Sequence, residues 1–269
     1  MRATNKLPTG ARLFDLEQPR TQSMPILPAQ KPGFNYFLHR HHEDEYEQTG
    51  PRTTASGMIV SPDHCGTHID ALCHQADELF LCGGVPVGQA QTSVGFTSHG
   101  ADEIPPIVSP AVFLDVASSK GVGDLEERYQ ITAEDIEECC EYQDVSVEAG
   151  DIVLVRTGGG RHWSTDAERY LNSAGVSAEA SQWMAERRVF AVGADNVAWD
   201  LMGAEDPELG VTLPGHLILL ARGGIYIIEN LLLEELSAAR AYRFMLVCAV
   251  PGFAGATGSP VRPLALVDD

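Results

Sequence analysis

Three histidines and an aspartate lie within eleven consecutive positions of this chain, around a Gly-Thr pair. The run reads His64-Cys65-Gly66-Thr67-His68-Ile69-Asp70-Ala71-Leu72-Cys73-His74. Imidazole and carboxylate groups at this density are typical of a metal site with a catalytic group beside it. The feature constrains the fold because all four side chains must reach one point.

Neither regular backbone period brings these groups together. A helix would place His64 and His68 on one face and turn Asp70 well away from them. An extended strand would keep all of them on one face but separate His64 from His68 by roughly 13 Å. Gly66 permits a bend, because glycine tolerates positive φ. We therefore predict an extended entry, a turn at Gly66-Thr67 and an exit that places Asp70 beside both histidines.

The donor types in this run indicate which ion and which chemistry to expect. His64, His68 and Asp70 are the predicted ligands, and they suit Zn²⁺ or Mn²⁺ better than Ca²⁺ or Mg²⁺. His74 follows Asp70 by four residues. An unperturbed imidazole titrates at about pH 6.5, so His74 is the predicted general acid/base. A role for His74 as a further ligand stays open.

Length and composition limit the classes of protein that this chain can belong to. We expect one domain over residues 1–269, with residues 1–50 as an N-terminal arm, because no linker-like segment divides the 269 residues. The net charge of −20 argues against nucleic acid and anionic membranes as partners. Six cysteines without framework spacing and no signal-like apolar start favour a cytoplasmic protein.

The pattern of apolar runs predicts an α/β domain. Short apolar runs bounded by turn residues indicate buried strands, and Thr or Ser caps indicate helix starts. Predicted strands cover residues 13–16, 57–60, 111–116, 151–157, 189–196, 225–230 and 243–250, and predicted helices begin at 132, 177 and 216. Strands interleaved with a few helices favour one large mixed β-sheet with flanking helices.

Four aromatic residues are candidates for the wall of a small-molecule pocket. They are Phe34, Tyr36, Phe37 and Trp199. Flat side chains could hold a planar ligand, although core positions suit the same residues equally well. The three histidines at positions 39, 41 and 42 are interpreted as part of a solvated charged segment, because no turn residue directs them to one point.

The run at 64–74 resembles the HxGTHxDxPxH signature of the cyclase family. This family comprises metal-dependent hydrolases such as bacterial kynurenine formamidase and isatin hydrolase. Further segments resemble family motifs in the same chain order, at residues 150–158, 216–231 and 255–262. Leu72 stands where kynurenine formamidase-type members have proline, so the exact substrate is left open.

The resemblance implies a swivelling β/β/α fold and a homodimer or homotetramer, in which segment 33–42 could close a neighbouring subunit's pocket. It also implies that His216 and Glu229 complete the ligand set around one or two Mn²⁺ or Zn²⁺ ions, with Asp70 shared in the second case. Both remaining alternatives for His216 and Glu229, a core histidine and a strand-end acid, stay open.

The implied reaction is hydrolysis of the C–N bond of a small amide, lactam or imide. Metal-activated water would attack the carbonyl, with His74 as the general acid/base. Lactone hydrolysis or a polyketide-type cyclisation at the same site is the alternative activity. A non-catalytic metal-binding protein is the third reading of the same residues.

Overall fold

The computed structural model describes residues 10–44, 47 and 50–268. Within this part of the chain, nine strands form one sheet. In chain order the strands are β1 (Arg12–Asp15), β2 (His68–Asp70), β3 (Ile107–Asp115), β4 (Ile152–Arg156), β5 (Ala191–Ala194), β6 (Tyr226–Glu229), β7 (Arg243–Cys248), β8 (Gly258–Pro260) and β9 (Leu264–Val267). Their order across the sheet is β1-β9-β7-β3-β4-β5-β6-β2-β8.

The sheet is mixed, with a parallel centre. Strands β3, β4, β5 and β6 run parallel, whereas β7, β9 and β1 on one side and β2 and β8 on the other pair antiparallel. Strand β4 is apolar on both faces, since Ile152 and Leu154 enter one core and Val153 and Val155 the other. Such continuous apolar runs are typical of parallel strands covered on both sides. The prediction of a single α/β domain with a large mixed sheet is confirmed.

Two helices begin at their predicted cap residues, Thr132 and Ser177, whereas the helix predicted from residue 216 begins at Pro214. Thr132 Oγ1 accepts a hydrogen bond from Asp135 N, and Asp135 Oδ2 accepts one from Thr132 N, which forms a capping box. Ser177 Oγ accepts from Ala180 N. The helices are α1 (Val87–Ala90), α2 (Val116–Ser119), α3 (Ala133–Gln143), α4 (Ala167–Leu171), α5 (Ala178–Glu186), α6 (Pro214–His216), which continues as a π-helix (Leu217–Gly223), and α7 (Glu234–Ala239).

One predicted strand lies outside the large sheet. Residues Ser56–Val60 pair only with Asn35–Arg40, and together they form a two-stranded ribbon. Most side chains of both strands are exposed, because neither face of the ribbon packs on the core. By contrast, β1 lies within the first fifty residues and forms an edge of the large sheet. No helix in the described ranges is long and apolar enough to cross a membrane.

The capping box of α3 gives a pH-dependent stability prediction. Burial alone would raise the pKa of Asp135, but hydrogen bonds from Lys120, Thr132 and Tyr129 outweigh it and hold this pKa below 3.8. The stabilisation is therefore present above pH 3.8 and is lost as the pH falls through the lowered value. We expect Asp135→Asn to cost about 1 kcal/mol at pH 7, with the difference from wild type vanishing in strong acid.

Thermal unfolding between pH 2 and pH 7 measures this effect. Glu134→Gln is the matched control, since Glu134 is exposed in the same first turn. A pH-independent loss in Asp135→Asn would show that the carboxylate charge contributes nothing.

Candidate metal centre

Strand register places the first candidate ligands on one face of the sheet. Strand β2 is antiparallel to β6, and His68 pairs directly with Glu229. Directly paired residues share a face, and Asp70 lies two positions further on, so it shares that face too. Ile69 points to the opposite face and is fully buried in the core. The pairing of β2 with β6 therefore brings together residues 161 positions apart.

The predicted bend is present, but its entry differs from the expectation. Gly66 has a φ of +71°, and strand β2 begins two residues later at His68. A Cβ on Gly66 would also lie 2.6 Å from the guanidinium of Arg20. Residues 63–67 form turns rather than the predicted extended segment. The backbone turns at this point because Arg20 donates to the carbonyls of Cys65 and Thr67 and holds the loop.

Helix α6 brings His216 to Asp70 and Glu229. Asp200 fixes its approach, since Asp200 Oδ1 accepts from Gly215 N at 2.6 Å and Oδ2 accepts from His216 N at 3.1 Å. Asp200 Oδ2 also accepts from His216 Nδ1 at 2.7 Å. A Cβ at Gly215 would meet Asp200 Oδ1 at 2.7 Å, so glycine is needed for this approach.

Four buried side chains then surround one point. The residues are His68, Asp70, His216 and Glu229, and none is more than 4% exposed. Their facing atoms lie slightly beyond hydrogen-bonding distance, as expected of donors that share a cation. His68 Nε2 is 3.3 Å from Asp70 Oδ1 and 3.4 Å from Glu229 Oε2, and His216 Nε2 is 3.5 Å from Asp70 Oδ2 and 3.3 Å from Glu229 Oε1.

The hydrogen bonds on the far side of each ring decide what the facing nitrogens can do. His68 Nδ1 donates to Gly66 O at 2.7 Å, and His216 Nδ1 donates to Asp200. Each neutral ring therefore presents the lone pair of its Nε2 to the carboxylates. Asp70 Oδ2 and Glu229 Oε1 are buried and accept no hydrogen bond from the described residues. Lone pairs that face lone pairs in a buried site fit a divalent cation.

The electrostatics lead to the same conclusion. Burial alone would lower the pKa of His68, but Asp70 and Glu229 outweigh it and raise this pKa. Burial is likewise outweighed at His216, where Asp200, Asp70 and Glu229 raise the pKa well above its ordinary value. Burial and the Asp70 charge raise the pKa of Glu229. The site thus attracts positive charge, which protons or a metal ion can supply.

His64 lies beside this group, but both of its ring nitrogens have protein partners. Nδ1 is 2.7 Å from Asp70 Oδ1, and Nε2 is 2.9 Å from Thr257 Oγ1. Thr257 donates in turn to Asp63. Gly258 leaves room for the ring, since a Cβ there would lie 2.8 Å from His64. Because Thr257 uses its proton on Asp63, it accepts from His64 Nε2, and a neutral His64 presents its Nδ1 lone pair to Asp70 as a further candidate ligand.

His74 stands at the edge of the same cluster. Its ring centroid is 3.9 Å from that of His64 and 6.0 Å from that of His216. Ligand atoms of His64, Asp70 and His74 lie within 4.8 Å of one another, and so do those of His68, Asp70 and Glu229. The two groups share Asp70, so the geometry accommodates either one ion or two. Whether His74 acts as a base or as a ligand therefore depends on whether one or two ions are bound.

Burial also sets the protonation state of His74. Loss of hydration, only partly offset by the charge of Asp70, lowers the pKa of His74 to about 4. The imidazole is therefore neutral at pH 7 and has a lone pair free to accept a proton. Its ring nitrogens make no hydrogen bond to another described residue.

A cavity of about 290 Å³ opens onto these groups. None of the four aromatic residues predicted to wall the pocket lines it. Aliphatic residues form the wall instead, from two separate segments of the chain. These residues are Pro25, Ile26 and Leu27 on one side, and Val197, Ala198, Met202 and Leu213 on the other.

The aromatic residues have other surroundings. Trp199 is fully buried and donates from Nε1 to Ser181 Oγ, so it supports the approach of α6 from behind. Phe34 packs in an apolar cluster with Met24 and Cys65. Tyr36 and Phe37 lie on the exposed ribbon, each 47% exposed. The expected contact of this ribbon with a neighbouring subunit stays a prediction.

Sequence reasoning missed the residues that hold the ligand loop. Asn230 directly follows Glu229 with a φ of +57° and donates to Gly66 O at 3.1 Å, while Tyr170 OH donates to Asn230 Oδ1 at 2.6 Å. Asp200 was missed as well. Only Asn230 had a sequence signal, because Asn tolerates positive φ at the end of a strand.

Comparison with known proteins identifies the family. The cyclase family model matches residues 14–201, which is more than half of the chain. This chain belongs to the cyclase family. Comparison with curated protein sequences gives no match.

Solved structures show the same fold as this cyclase-family chain. The crystal structure of a novel cyclase has a TM-score of 0.85 and 30% identity, covering 96% of this chain and 87% of that one. Isatin hydrolase A from Ralstonia solanacearum has a TM-score of 0.72 and 25% identity, covering 97% and 93%. A potential metal-dependent hydrolase with cyclase activity has a TM-score of 0.62 and 20% identity, covering 95% and 98%.

One prediction for the metal centre concerns the carboxylate of Asp70. We expect Asp70→Asn to abolish tight binding of Mn²⁺ and Zn²⁺, because it removes the charge that both ligand groups share. Calorimetric titration of the metal-depleted protein measures this. Asp77→Asn is the control, since Asp77 pairs with Arg222 away from the cavity. Unchanged affinity in Asp70→Asn would contradict the site as described.

Another prediction for the metal centre concerns Asp200. In Asp200→Asn the amide can donate to His216 Nδ1, which would move the ring proton to Nε2 and remove the ligating lone pair. We expect metal affinity to fall by about 10- to 100-fold, by the same titration. Wild-type affinity in this variant would show that Asp200 does not set the tautomer of His216.

Proposed function

We propose that this protein is a metal-dependent hydrolase that opens the C–N bond of a small amide, lactam or imide. The observation that carries the proposal is the buried arrangement of two Nε2 lone pairs and two carboxylates, each with one oxygen that accepts no hydrogen bond from the described residues. This arrangement opens onto a cavity large enough for a small molecule. The likeness to isatin hydrolase A, at 25% identity, supports a cyclic C–N bond as the target.

In this proposal His68, Asp70, His216 and Glu229 hold a Mn²⁺ or Zn²⁺ ion. Such an ion supplies Lewis-acid chemistry, which makes water a stronger nucleophile and polarises a carbonyl. The protein residues supply geometry: Asp200 and the Gly66 carbonyl orient the two rings. Asn230 in turn fixes the Gly66 carbonyl.

His74 moves the proton. The neutral ring accepts a proton from the attacking water and returns it to the leaving nitrogen, so that the C–N bond breaks without leaving an anionic nitrogen. Its ring has no competing hydrogen bond to a described residue, and it borders the same cavity as His68 and Glu229. The adjacent ring of His64 limits how far His74 can rotate.

Replacement of His74 tests this role. We expect His74→Ala to retain bound metal and to lose about 10²- to 10⁴-fold in turnover, the usual contribution of a general acid/base. Metal content and turnover of an amide substrate are measured on the same preparation. His41→Ala is the control, since His41 is exposed and pairs only with Asp44. Equal loss of metal and turnover would instead make His74 a ligand.

A substrate panel tests the class of reaction. Isatin, phthalimide, N-formylkynurenine and a lactone are assayed with Mn²⁺ and with Zn²⁺, before and after chelation. We expect metal-dependent turnover of the C–N substrates isatin and phthalimide. Turnover of the lactone alone would move the proposal to C–O cleavage, and turnover that survives chelation would reject the metal-dependent mechanism.

A further inference from the structure

Two glutamine side chains in the cavity have no hydrogen-bond partner among residues 10–44, 47 and 50–268. Gln30 ends the short helical turn Pro28–Gln30, and Gln75 directly follows the turn Leu72–His74. Both line the cavity beside the candidate centre and are partly buried. Neither side-chain amide forms a hydrogen bond to another described residue.

Other buried glutamines in this chain are used differently. Gln18 donates to the carbonyls of Gly160 and Leu231, and Gln143 donates to the Phe113 carbonyl and accepts from Asp115 N. These amides hold the fold together. A partly buried amide without a protein partner keeps two donors and an acceptor for water or a ligand. Gln30 and Gln75 are therefore available for recognition.

The charges of the cavity restrict the ligand further. None of the described Lys or Arg residues lines it. The guanidinium of Arg20 lies near the ligand loop, but it is used by the carbonyls of Cys65 and Thr67 and by Glu17. The two acidic residues in the lining, Asp70 and Glu229, add no positive charge. A carboxylate on the substrate body would thus lose its hydration without gaining a cation.

The remaining wall suits an apolar body. Ile26 and Leu27 face the cavity from one segment, and Met202 and Leu213 from the other. Leu213 has a φ of +55°, a left-handed backbone conformation that is unfavourable for a leucine. The chain holds this side chain in the wall three residues before His216. The wall therefore provides apolar contact to a substrate, and the two amides provide the polar contacts.

From these observations we infer that the site selects uncharged imides or lactams, and that Gln30 and Gln75 determine this specificity. The inference rests on the proposed function. Such a ring presents an N–H donor, and an imide also presents a second carbonyl that is not cleaved, so a pair of primary amides matches both groups. Amides or imides that carry a carboxylate on the body are rejected.

Binding to the metal-depleted protein tests the inference without any turnover. Phthalimide and 4-carboxyphthalimide form a matched pair that differs by one charge. By calorimetry, we expect phthalimide to bind at least about tenfold more tightly. We expect Gln30→Leu and Gln75→Leu each to weaken phthalimide by about five- to tenfold, the usual effect of one lost hydrogen bond. Gln91→Leu is the control, since Gln91 is exposed and lies outside the cavity.

A positive charge added to the cavity wall provides a second test. Met202→Lys places a cation in the wall, and we expect it to favour 4-carboxyphthalimide over phthalimide. Thermal unfolding of each variant confirms that it is folded, and Gln75→Met, which keeps the side-chain length but lacks the amide, replaces Gln75→Leu if that variant is not. Equal binding of the two compounds to wild type, no binding of either, or unchanged affinity in both glutamine variants would overturn the inference.

The outcome is separable from that of the proposed function. Selective binding of phthalimide without metal-dependent turnover would leave the specificity standing and reject the hydrolase proposal. Metal-dependent turnover of both compounds at equal kcat/KM would leave the hydrolase standing and reject the specificity.

Discussion

The structure depends on a buried cluster of electron-rich groups that repel one another. Two imidazole lone pairs and two carboxylates face each other in a buried space, and two of the carboxylate oxygens have no donor from the described residues. A protein interior does not tolerate such a cluster without positive charge. The surrounding structure maintains it through Asp200 and the Gly66 carbonyl, which fix the ring tautomers. Strand pairing between β2 and β6 places the cluster at the sheet.

Much of this could be predicted from residues that are close in sequence. The alternation of His68 and Asp70 about Ile69 and the bend at Gly66 follow from local backbone geometry. The buried strand β4 and the capped helices α3 and α5 follow from apolar runs and cap residues. His216 and Glu229 came only from the family resemblance, because no local period connects them to His68. Their proximity is a property of the sheet order.

Sequence reasoning failed where a long-range contact decides a residue's surroundings. For Trp199 the sequence left a pocket wall and a core position open, and its indole N–H bonds to Ser181 in the core. Tyr36 and Phe37 were assigned likewise, but their ribbon packs on neither sheet face. The wall residues Ile26 and Leu27 lie in a Pro-flanked stretch without a strand or helix pattern, so no period identified them. His64 stays a predicted ligand, since its ligand atoms lie within 4.8 Å of those of Asp70 and His74.

The most direct measurement is anomalous X-ray diffraction from crystals grown with Mn²⁺. We predict an anomalous peak from a bound Mn²⁺ ion within about 2.0–2.3 Å of the Nε2 atoms of His68 and His216. The peak should also contact one oxygen each of Asp70 and Glu229. Well-ordered side chains with no peak among them, or a peak only at another part of the chain, would contradict the account.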